Sequence, residues 1–167
     1  MIRNVAREIA MHLSYELSFT DLTASELLDQ RLSSPHFEAL APEYEVYGEL
    51  PNASQRAYIR KLVQGIAVHG YELDQYIEKY AKGWRFERIP LVAGAVMRLC
   101  MYEILYMPEI PNGAAINEAV EISKKYESAE VVRFINGILG SFVRGEVRED
   151  APLPAPPPPA GGEGEDA

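Results

Sequence analysis

One apolar run constrains the fold of this chain more than any other feature. From Ile89 to Met107 nearly every residue is apolar, and only Arg98 and Glu103 carry charge. The run has 19 residues, just enough for a helix to cross a membrane. However, Pro90 and Pro108 frame it, and two charges fit a bilayer poorly. The run therefore predicts a buried central helix in a helical protein.

The first thirty residues show the spacing of amphipathic helices. Apolar residues recur every three or four positions, which places them on one side of a first helix: Ile2, Ala6, Ile9, Leu13 and Leu17. Arg3, Arg7 and Ser14 are predicted to lie on the opposite side. A second helix follows, for which Thr23 or Ser25 is a suitable N-cap.

Prolines at positions 35, 42 and 51 predict a long loop over residues 34–52, with at most short helical turns. After it, Ser54 is predicted to cap a third helix that continues to about Tyr80. Gly65 or Gly70 is a candidate break within that helix.

Polar residues interrupt the last two predicted helices, which span Gly113–Tyr126 and about Ala129–Val143. Buried polar groups need partners, so the pair Asn117–Glu118 is predicted to bind backbone groups or a cation such as Arg98. The pair Asn136–Gly137 is predicted to allow close contact between helices. Since no useful alternating pattern of a strand occurs, the fold class is all-α, with six or seven helices in a bundle-like core.

Composition supports one helical domain followed by a tail. The chain has 167 residues, a hydrophobic fraction of 47% and one cysteine, which excludes an internal disulfide. Residues 149–167 hold six prolines, five acids and no base, so residues 1–148 carry −4 of the net charge of −9. We expect a domain over 1–148 and a disordered Pro/Gly/acidic tail over 149–167. The N-terminus lacks the features of a secretory signal, which favours a cytoplasmic protein.

No pattern for catalysis or for cofactor or metal binding appears. Cys100 lies inside the apolar run, which predicts a buried core residue. The three histidines, at positions 12, 36 and 69, lack ligand spacing, and there is no glycine-rich phosphate loop. We therefore predict that the protein is not an enzyme and has no cofactor.

The segment KYAKGWRFER, residues 79–88, is the best candidate for binding. It interleaves four cations with three aromatic rings, the combination that single-stranded RNA needs for its phosphates and unstacked bases. An alternative from the same residues is structural: Trp84 and Phe86 anchor a corner between two helices, and the cations only solvate it.

Four segments in order resemble the NusB family of transcription antitermination factors: AREIAMHLSYEL, AVMRLCMYEI, AINEAVEISKKY and RFINGILG. The resemblance runs from Arg3 to about Val143. It implies an all-helical fold of two packed subdomains without catalytic chemistry. It also implies binding of boxA-type single-stranded RNA from ribosomal-RNA leaders, together with the ribosomal protein NusE. Such a complex helps RNA polymerase to read through terminators. Monomer and homodimer both remain open.

The resemblance also implies site residues. RNA contacts are expected at eight positions: Arg3, Arg7, Tyr15, Tyr80, Lys82, Glu130, Arg133 and Phe134. Glu87 is expected to face NusE, whereas Ala93 stands where the family usually has an acid. Asn4 and Val5 occupy positions where the family can have further arginines.

Two other functions compete with RNA-dependent antitermination. The thin arginine run and the acidic tail suggest a protein-interaction module of the same fold with reduced RNA affinity. The third possibility, a helical accessory domain of an rRNA cytosine methyltransferase, would need a catalytic domain after it, where this chain has its tail. The five acids of the tail could also compete with phosphates for the basic surface.

Overall fold

The computed structural model describes residues 3–147, and this part of the chain is all-α, as predicted. It contains seven α-helices and no strand. The helices are α1 (Arg3–Leu17), α2 (Ala24–Arg31), α3 (Ser34–Leu40), α4 (Ala53–Tyr80), α5 (Leu91–Tyr106), α6 (Asn112–Tyr126) and α7 (Ala129–Phe142). No helix within 3–147 is long and apolar enough to cross a membrane. The predicted tail, residues 149–167, and Ile2 of the first apolar stripe lie outside the described residues.

The chain divides into two compact units, residues 1–67 and 68–167. In the first unit, α1 contacts α2 and a 3₁₀ turn at Glu45–Tyr47. Of the two predicted candidates, Thr23 caps α2: its Oγ accepts from the Glu26 backbone N–H at 3.1 Å, and the Glu26 carboxylate accepts from the Thr23 N–H at 2.9 Å. Apolar residues of α1, α2 and α4 form the core of this unit, including Ile9, Leu13, Leu27, Leu28, Ile59 and Leu62.

The predicted loop over 34–52 contains a helix of its own. Helix α3 spans Ser34–Leu40 and makes two turns, which is more than the short turns expected. Pro35 stands in its first turn, where proline has no intrahelical donor to lose and its fixed φ suits a helix. Phe37 then packs inward beside Tyr47, with the ring centroids 4.9 Å apart.

Helix α1 is buried on more sides than its apolar stripe predicts. Arg7 and Ser14 were expected on the opposite, solvated side, but they are only 2% and 8% exposed. Glu8 is buried as well, and its carboxylate lies 4.0 Å from His12. The prediction that Arg7 and Ser14 lie on a side of α1 away from the core is therefore wrong.

The long helix α4 begins at Ala53, two residues earlier than a cap at Ser54 predicts, and it has a different cap. Asn52, not Ser54, is the N-cap: its Oδ1 accepts from the Gln55 N–H at 2.9 Å, and Gln55 Oε1 accepts from the Asn52 N–H at 2.8 Å. The predicted break lies at His69, beside the candidate Gly70, where φ −101° and ψ 15° leave the helical range.

In the second unit, α5 is the buried central helix that the apolar run predicted. Twelve of its 16 residues are buried, Cys100 and Glu103 among them, and it contacts both α6 and α7. Arg98, near the middle of α5, donates from Nε to Asp74 Oδ1 at 2.6 Å. Ser128 caps α7, and one π-helical turn, Val143–Val147, follows that helix.

Candidate nucleic-acid interface

A sharp turn after α4 exposes a row of cations. The helix ends at Tyr80, and Gly83 has φ +85°, a left-handed conformation that side chains other than glycine rarely adopt. Lys82, Arg85 and Arg88 are all exposed along this turn. Arg85 lies 3.8 Å from Glu87, but both side chains are about three-quarters exposed, so this pair holds neither in place.

An open groove lies between this turn and α7. Its volume is about 430 Å³. It is lined by Tyr80, Lys82, Phe134, Gly137, Ile138 and Ser141. We call it the aromatic groove. Three predicted RNA contacts, Tyr80, Lys82 and Phe134, therefore meet at one place, although Phe134 is more than fifty positions from the other two in sequence.

Trp84 supports one side of the aromatic groove. Its ring is half-buried and lies 4.2 Å, centroid to centroid, from the ring of Phe134, with 36° between their planes. The corner-anchor interpretation of Trp84 thus agrees with the structure. It does not compete with binding, because the same packing fixes Phe134 while the neighbouring cations stay exposed.

Tyr80 is fixed by a hydrogen bond to Glu146 in the π-helical turn that follows α7. Its hydroxyl donates to Glu146 Oε2 at 2.6 Å, and Lys79 Nζ donates to the same oxygen at 2.7 Å. Gly145 makes room for this arrangement, since a Cβ there would collide with the Tyr80 hydroxyl. The Tyr80 ring also lies edge-on to the buried Phe142, 6.3 Å away.

These contacts change the acidity of the groups involved. Partial burial favours the neutral acid at Glu146, but the hydrogen bonds from Lys79 and Tyr80 and the charge of Lys79 outweigh it and lower its pKa. The hydrogen bond to Glu146 raises the pKa of Tyr80, as does desolvation. Glu146 is therefore a carboxylate at neutral pH, and Tyr80 holds its proton in the bond to Glu146.

The polar residues of α6 and α7 do not have the structural roles predicted for them. Asn117, Asn136 and Gly137 are exposed, and a Cβ at Gly137 would meet no atom within 4 Å. Gly137 therefore permits no close helix contact; it lines the aromatic groove instead. Arg98, the cation predicted as a partner for Asn117 and Glu118, donates to Asp74 instead.

Two predicted RNA contacts on α7 flank the groove without lining it. Glu130 lies in the first turn of α7, and Arg133 directly precedes Phe134; both are exposed. The predicted NusE contact, Glu87, is also exposed, whereas Ala93 is fully buried in α5.

The other three predicted RNA contacts belong to the first unit. Arg3 is exposed and its guanidinium lies over the Tyr58 ring, 4.8 Å from the centroid. Arg7 is 2% exposed and donates to Asn4 Oδ1 at 3.0 Å. Tyr15 packs against the exposed ring of Phe19, with centroids 5.1 Å apart. Their role in RNA binding stays a prediction.

Sequence reasoning missed several residues that shape the groove. Ile138 and Ser141 follow Phe134 by four and seven positions, so helical periodicity could have placed them on the same face. Gly145 and Glu146 follow the last predicted helix, and no sequence signal connects them to Tyr80.

Comparison with known proteins gives a consistent result. The model of the NusB family matches residues 4–144. A transcription antitermination protein NusB from Acetivibrio thermocellus is 38% identical over 144 residues, which cover 86% of this chain and 90% of that protein. One from Clostridium botulinum is 31% identical over 143 residues, 86% of this chain and 100% of that protein.

Solved structures share the fold. T. maritima NusB has a TM-score of 0.66 and 25% identity, with 87% of this chain and 92% of that chain covered. A complex of antitermination factors NusB and NusE with dsRNA gives a TM-score of 0.66 at 24% identity, covering 85% of this chain and 96% of that chain; this likeness concerns the fold. Because the family match ends at residue 144, the proline-acid segment 149–167 lies outside it.

Proposed function

The chain belongs to the NusB family, whose named members are transcription antitermination proteins, and from this premise we propose that it binds boxA-type RNA of ribosomal-RNA leaders together with the ribosomal protein NusE. The complex then helps RNA polymerase to read through terminators. On this proposal the protein is a binding factor in the cytoplasm and not an enzyme.

The aromatic groove is the observation that carries the proposal. Single-stranded RNA presents flat unstacked bases and a charged backbone, so a protein that holds it needs rings and cations together. The groove provides both, because Tyr80 and Phe134 are available for stacking and Lys82 stands beside them. Its volume of about 430 Å³ is within the usual range for a small planar ligand such as a nucleobase.

Residues around the groove extend the proposed contact surface. Arg133 and Arg88 are exposed and have no ion pair among residues 3–147, so they are available to phosphates. Glu130 is an acceptor for the amino groups of bases. On the first unit, taken by itself, we propose Arg3, Arg7 and Tyr15 as RNA contacts, and we propose that Glu87 faces NusE.

A specific observation favours a second candidate, a protein-interaction module with reduced RNA affinity. The two N-terminal arginines are both engaged within the protein: Arg7 is buried with a bond to Asn4, and Arg3 lies over Tyr58. With Asn4 and Val5 in place of further arginines, the first helix offers few cations. This candidate predicts NusE binding without discrimination between RNA sequences.

Fluorescence anisotropy separates the two candidates. The full-length protein is titrated into a labelled boxA-type RNA and a scrambled RNA, each with and without NusE. We expect tighter binding to boxA-type RNA, and a further gain with NusE. Equal binding to both RNAs together with NusE binding would instead support the interaction module.

Substitutions then connect the binding to the groove. Phe134→Ala removes one stacking ring, which is worth about 1–3 kcal/mol per base, so the RNA Kd should rise on the order of 5- to 150-fold. Tyr71→Ala is the matched control, because Tyr71 is an aromatic residue of the same unit that is 81% exposed and does not line the groove. Equal losses in both variants would argue against the groove.

A further inference from the structure

We propose that the C-terminal segment 149–167 competes with RNA inside the same molecule, its prolines occupying the aromatic groove and its acids facing the cations beside it. The proposed function supplies only the identity of the displaced ligand. The contact between segment and groove stands on three other observations: unpaired cations, the point where the segment starts, and the match between its prolines and the groove.

Charge complementarity is the first observation. The side chains of Lys82, Arg88 and Arg133 are exposed, and none of these side chains makes a hydrogen bond or ion pair in the part of the chain that the structure describes. Lys82 lines the groove, and Arg133 precedes the groove residue Phe134. The segment 149–167 contains five acids and no base. Such charges attract within the Debye length, about 8 Å at physiological salt.

The starting point of the segment is the second observation. Glu146 is hydrogen-bonded to Tyr80, which lines the groove. The segment 149–167 begins three residues after Glu146 in the sequence. The proline-rich stretch Pro152–Pro159 begins six residues after Glu146. Extended chain spans about 3.3–3.6 Å per residue, which gives those six residues a reach of roughly 20 Å. The proposed contact needs no more than this reach, because Glu146 itself contacts the groove residue Tyr80.

The chemistry of the prolines is the third observation. Pro152–Pro159 reads PLPAPPPP, with one leucine and one alanine among six prolines. Proline runs favour the polyproline II conformation, and aromatic-lined grooves bind it because little conformational entropy is lost. Tyr80, Phe134 and Ile138 provide such a lining. The acids Glu163, Glu165 and Asp166 then lie beyond the prolines, where they can reach the cations.

Because the segment is covalently attached to the domain, even a weak contact with the groove can be populated. Short flexible linkers give effective concentrations of about 1 mM. If the segment binds the groove with an intrinsic Kd of about 1 mM, it occupies the groove in half of the molecules. With a Kd of about 0.1 mM, the groove stays unoccupied in roughly one molecule in ten. The apparent RNA Kd equals the intrinsic RNA Kd divided by the fraction of molecules whose groove is unoccupied. The segment should therefore weaken RNA binding about 2- to 10-fold at low salt.

Trp84 reports on the contact without RNA. It is the single tryptophan of the chain and packs against Phe134, so its emission is sensitive to what fills the groove. Emission spectra of the full-length protein are compared with those of a full-length variant in which Pro156–Pro159 are all replaced by Ser. We expect different spectra at 50 mM salt. Identical spectra at low salt would overturn the proposal.

RNA binding tests the competition. The full-length variant Glu163→Gln/Glu165→Gln/Asp166→Asn should bind RNA about 2- to 10-fold tighter than the natural sequence at 50 mM salt. The gain should shrink at 300 mM salt, since both attractions are screened. An unchanged affinity at 50 mM salt would overturn the competition.

A charge-matched control separates the segment from net charge. Glu38→Gln/Glu43→Gln/Glu45→Gln removes the same number of acids from exposed positions of the first unit. This control should leave RNA affinity nearly unchanged. An equal gain in both triple variants would mean a general charge effect and would overturn the proposal.

The two readouts distinguish this inference from the proposed function. Proline-dependent Trp84 emission without RNA binding by any variant would contradict the proposed function and support the intramolecular contact. Identical Trp84 spectra, with strong and equal RNA binding by all variants, would contradict the tail inference and leave the proposed function intact.

Discussion

Gly145 occupies a position where one methyl group should displace a ring of the proposed RNA site. A Cβ there would collide with the Tyr80 hydroxyl and press on two ring carbons, at 2.9 and 3.0 Å. The Gly145 backbone is not left-handed, so alanine itself is tolerated. The substitution Gly145→Ala should therefore move Tyr80 and break its hydrogen bond to Glu146.

Two opposing effects set the stability change. Loss of the hydrogen bond from Tyr80 to Glu146 costs about 0.5–1.5 kcal/mol, nearer the lower figure because the site is half-exposed. Replacing glycine by alanine restricts the unfolded chain, which stabilises the folded protein by about 0.4–1 kcal/mol. Gly145→Ala alone should thus lie within about 1 kcal/mol of the natural protein. In a Tyr80→Ala background the obstacle is gone, and Gly145→Ala should stabilise by about 0.4–1 kcal/mol.

A double-mutant cycle measures this difference. Urea unfolding of the natural protein, the two single variants and the double variant should give a coupling of about 0.5–1.5 kcal/mol between the positions. Gly113→Ala is the control, since a Cβ at Gly113 meets nothing within 4 Å and should not couple to Tyr80. A stabilising Gly145→Ala in both backgrounds, with zero coupling, would refute the argument.

The same substitution tests the role of the Tyr80 ring in binding. If the displaced ring can no longer stack, Gly145→Ala should weaken RNA binding by about 1–3 kcal/mol, comparable to Tyr80→Ala. Full RNA affinity in a protein whose Tyr80 has moved would remove this ring from the proposed contacts.

Three further predictions follow from caps, acidity and charge. Asn52→Ala should cost about 1 kcal/mol in urea unfolding, while Ser54→Ala should change stability by less than about 0.5 kcal/mol; the reverse order would contradict the assigned cap. Because the pKa of Glu146 is lowered in the folded state, its stabilising contribution is present above its usual value of about 4.5 and is lost as pH falls through the folded pKa. Unfolding from pH 7 to pH 3 should therefore show the advantage over Glu146→Gln shrinking with acid, and a constant difference would contradict this. Lys82→Gln should reduce the slope of log K against log salt by about 0.7, the amount for one phosphate contact on a single strand, and an unchanged slope would exclude that contact.

The sequence predicted the fold correctly where several residues point to the same local structure. The run from Ile89 to Met107 is apolar on every side, which predicts a helix that is buried on every side. Helix α5 is such a helix. Thr23 precedes Glu26 by three residues, which matches both halves of a capping box.

The errors occurred where local signals were ambiguous. Pro35 was taken as a helix breaker, although proline in a first turn is compatible with a helix and α3 begins there. Ser54 and Asn52 are both good caps, and the partner Gln55, three residues after Asn52, decides between them. Arg7 and Ser14 follow the polar side of α1, but tertiary packing covers that side as well.

The candidate site shows the same division. Tyr80, Lys82 and Phe134 came from the family resemblance, and the structure brings these three together in one groove. Asn136 and Gly137 were assigned to helix packing because glycine has no side chain to hold two backbones apart. Both are exposed, and a Cβ at Gly137 would meet no atom within 4 Å, so no helix packs closely there. The contact of Tyr80 with Glu146 joins positions 66 apart, which no local pattern encodes.

Photo-crosslinking shows whether the aromatic groove holds RNA. The full-length protein is irradiated with a boxA-type RNA that carries 4-thiouridine at single positions, in the presence of NusE, and the crosslinked peptides are identified by mass spectrometry. We expect crosslinks at Tyr80 or Phe134 that disappear with excess unlabelled boxA-type RNA. Competable crosslinks confined to peptides outside the groove would contradict this expectation.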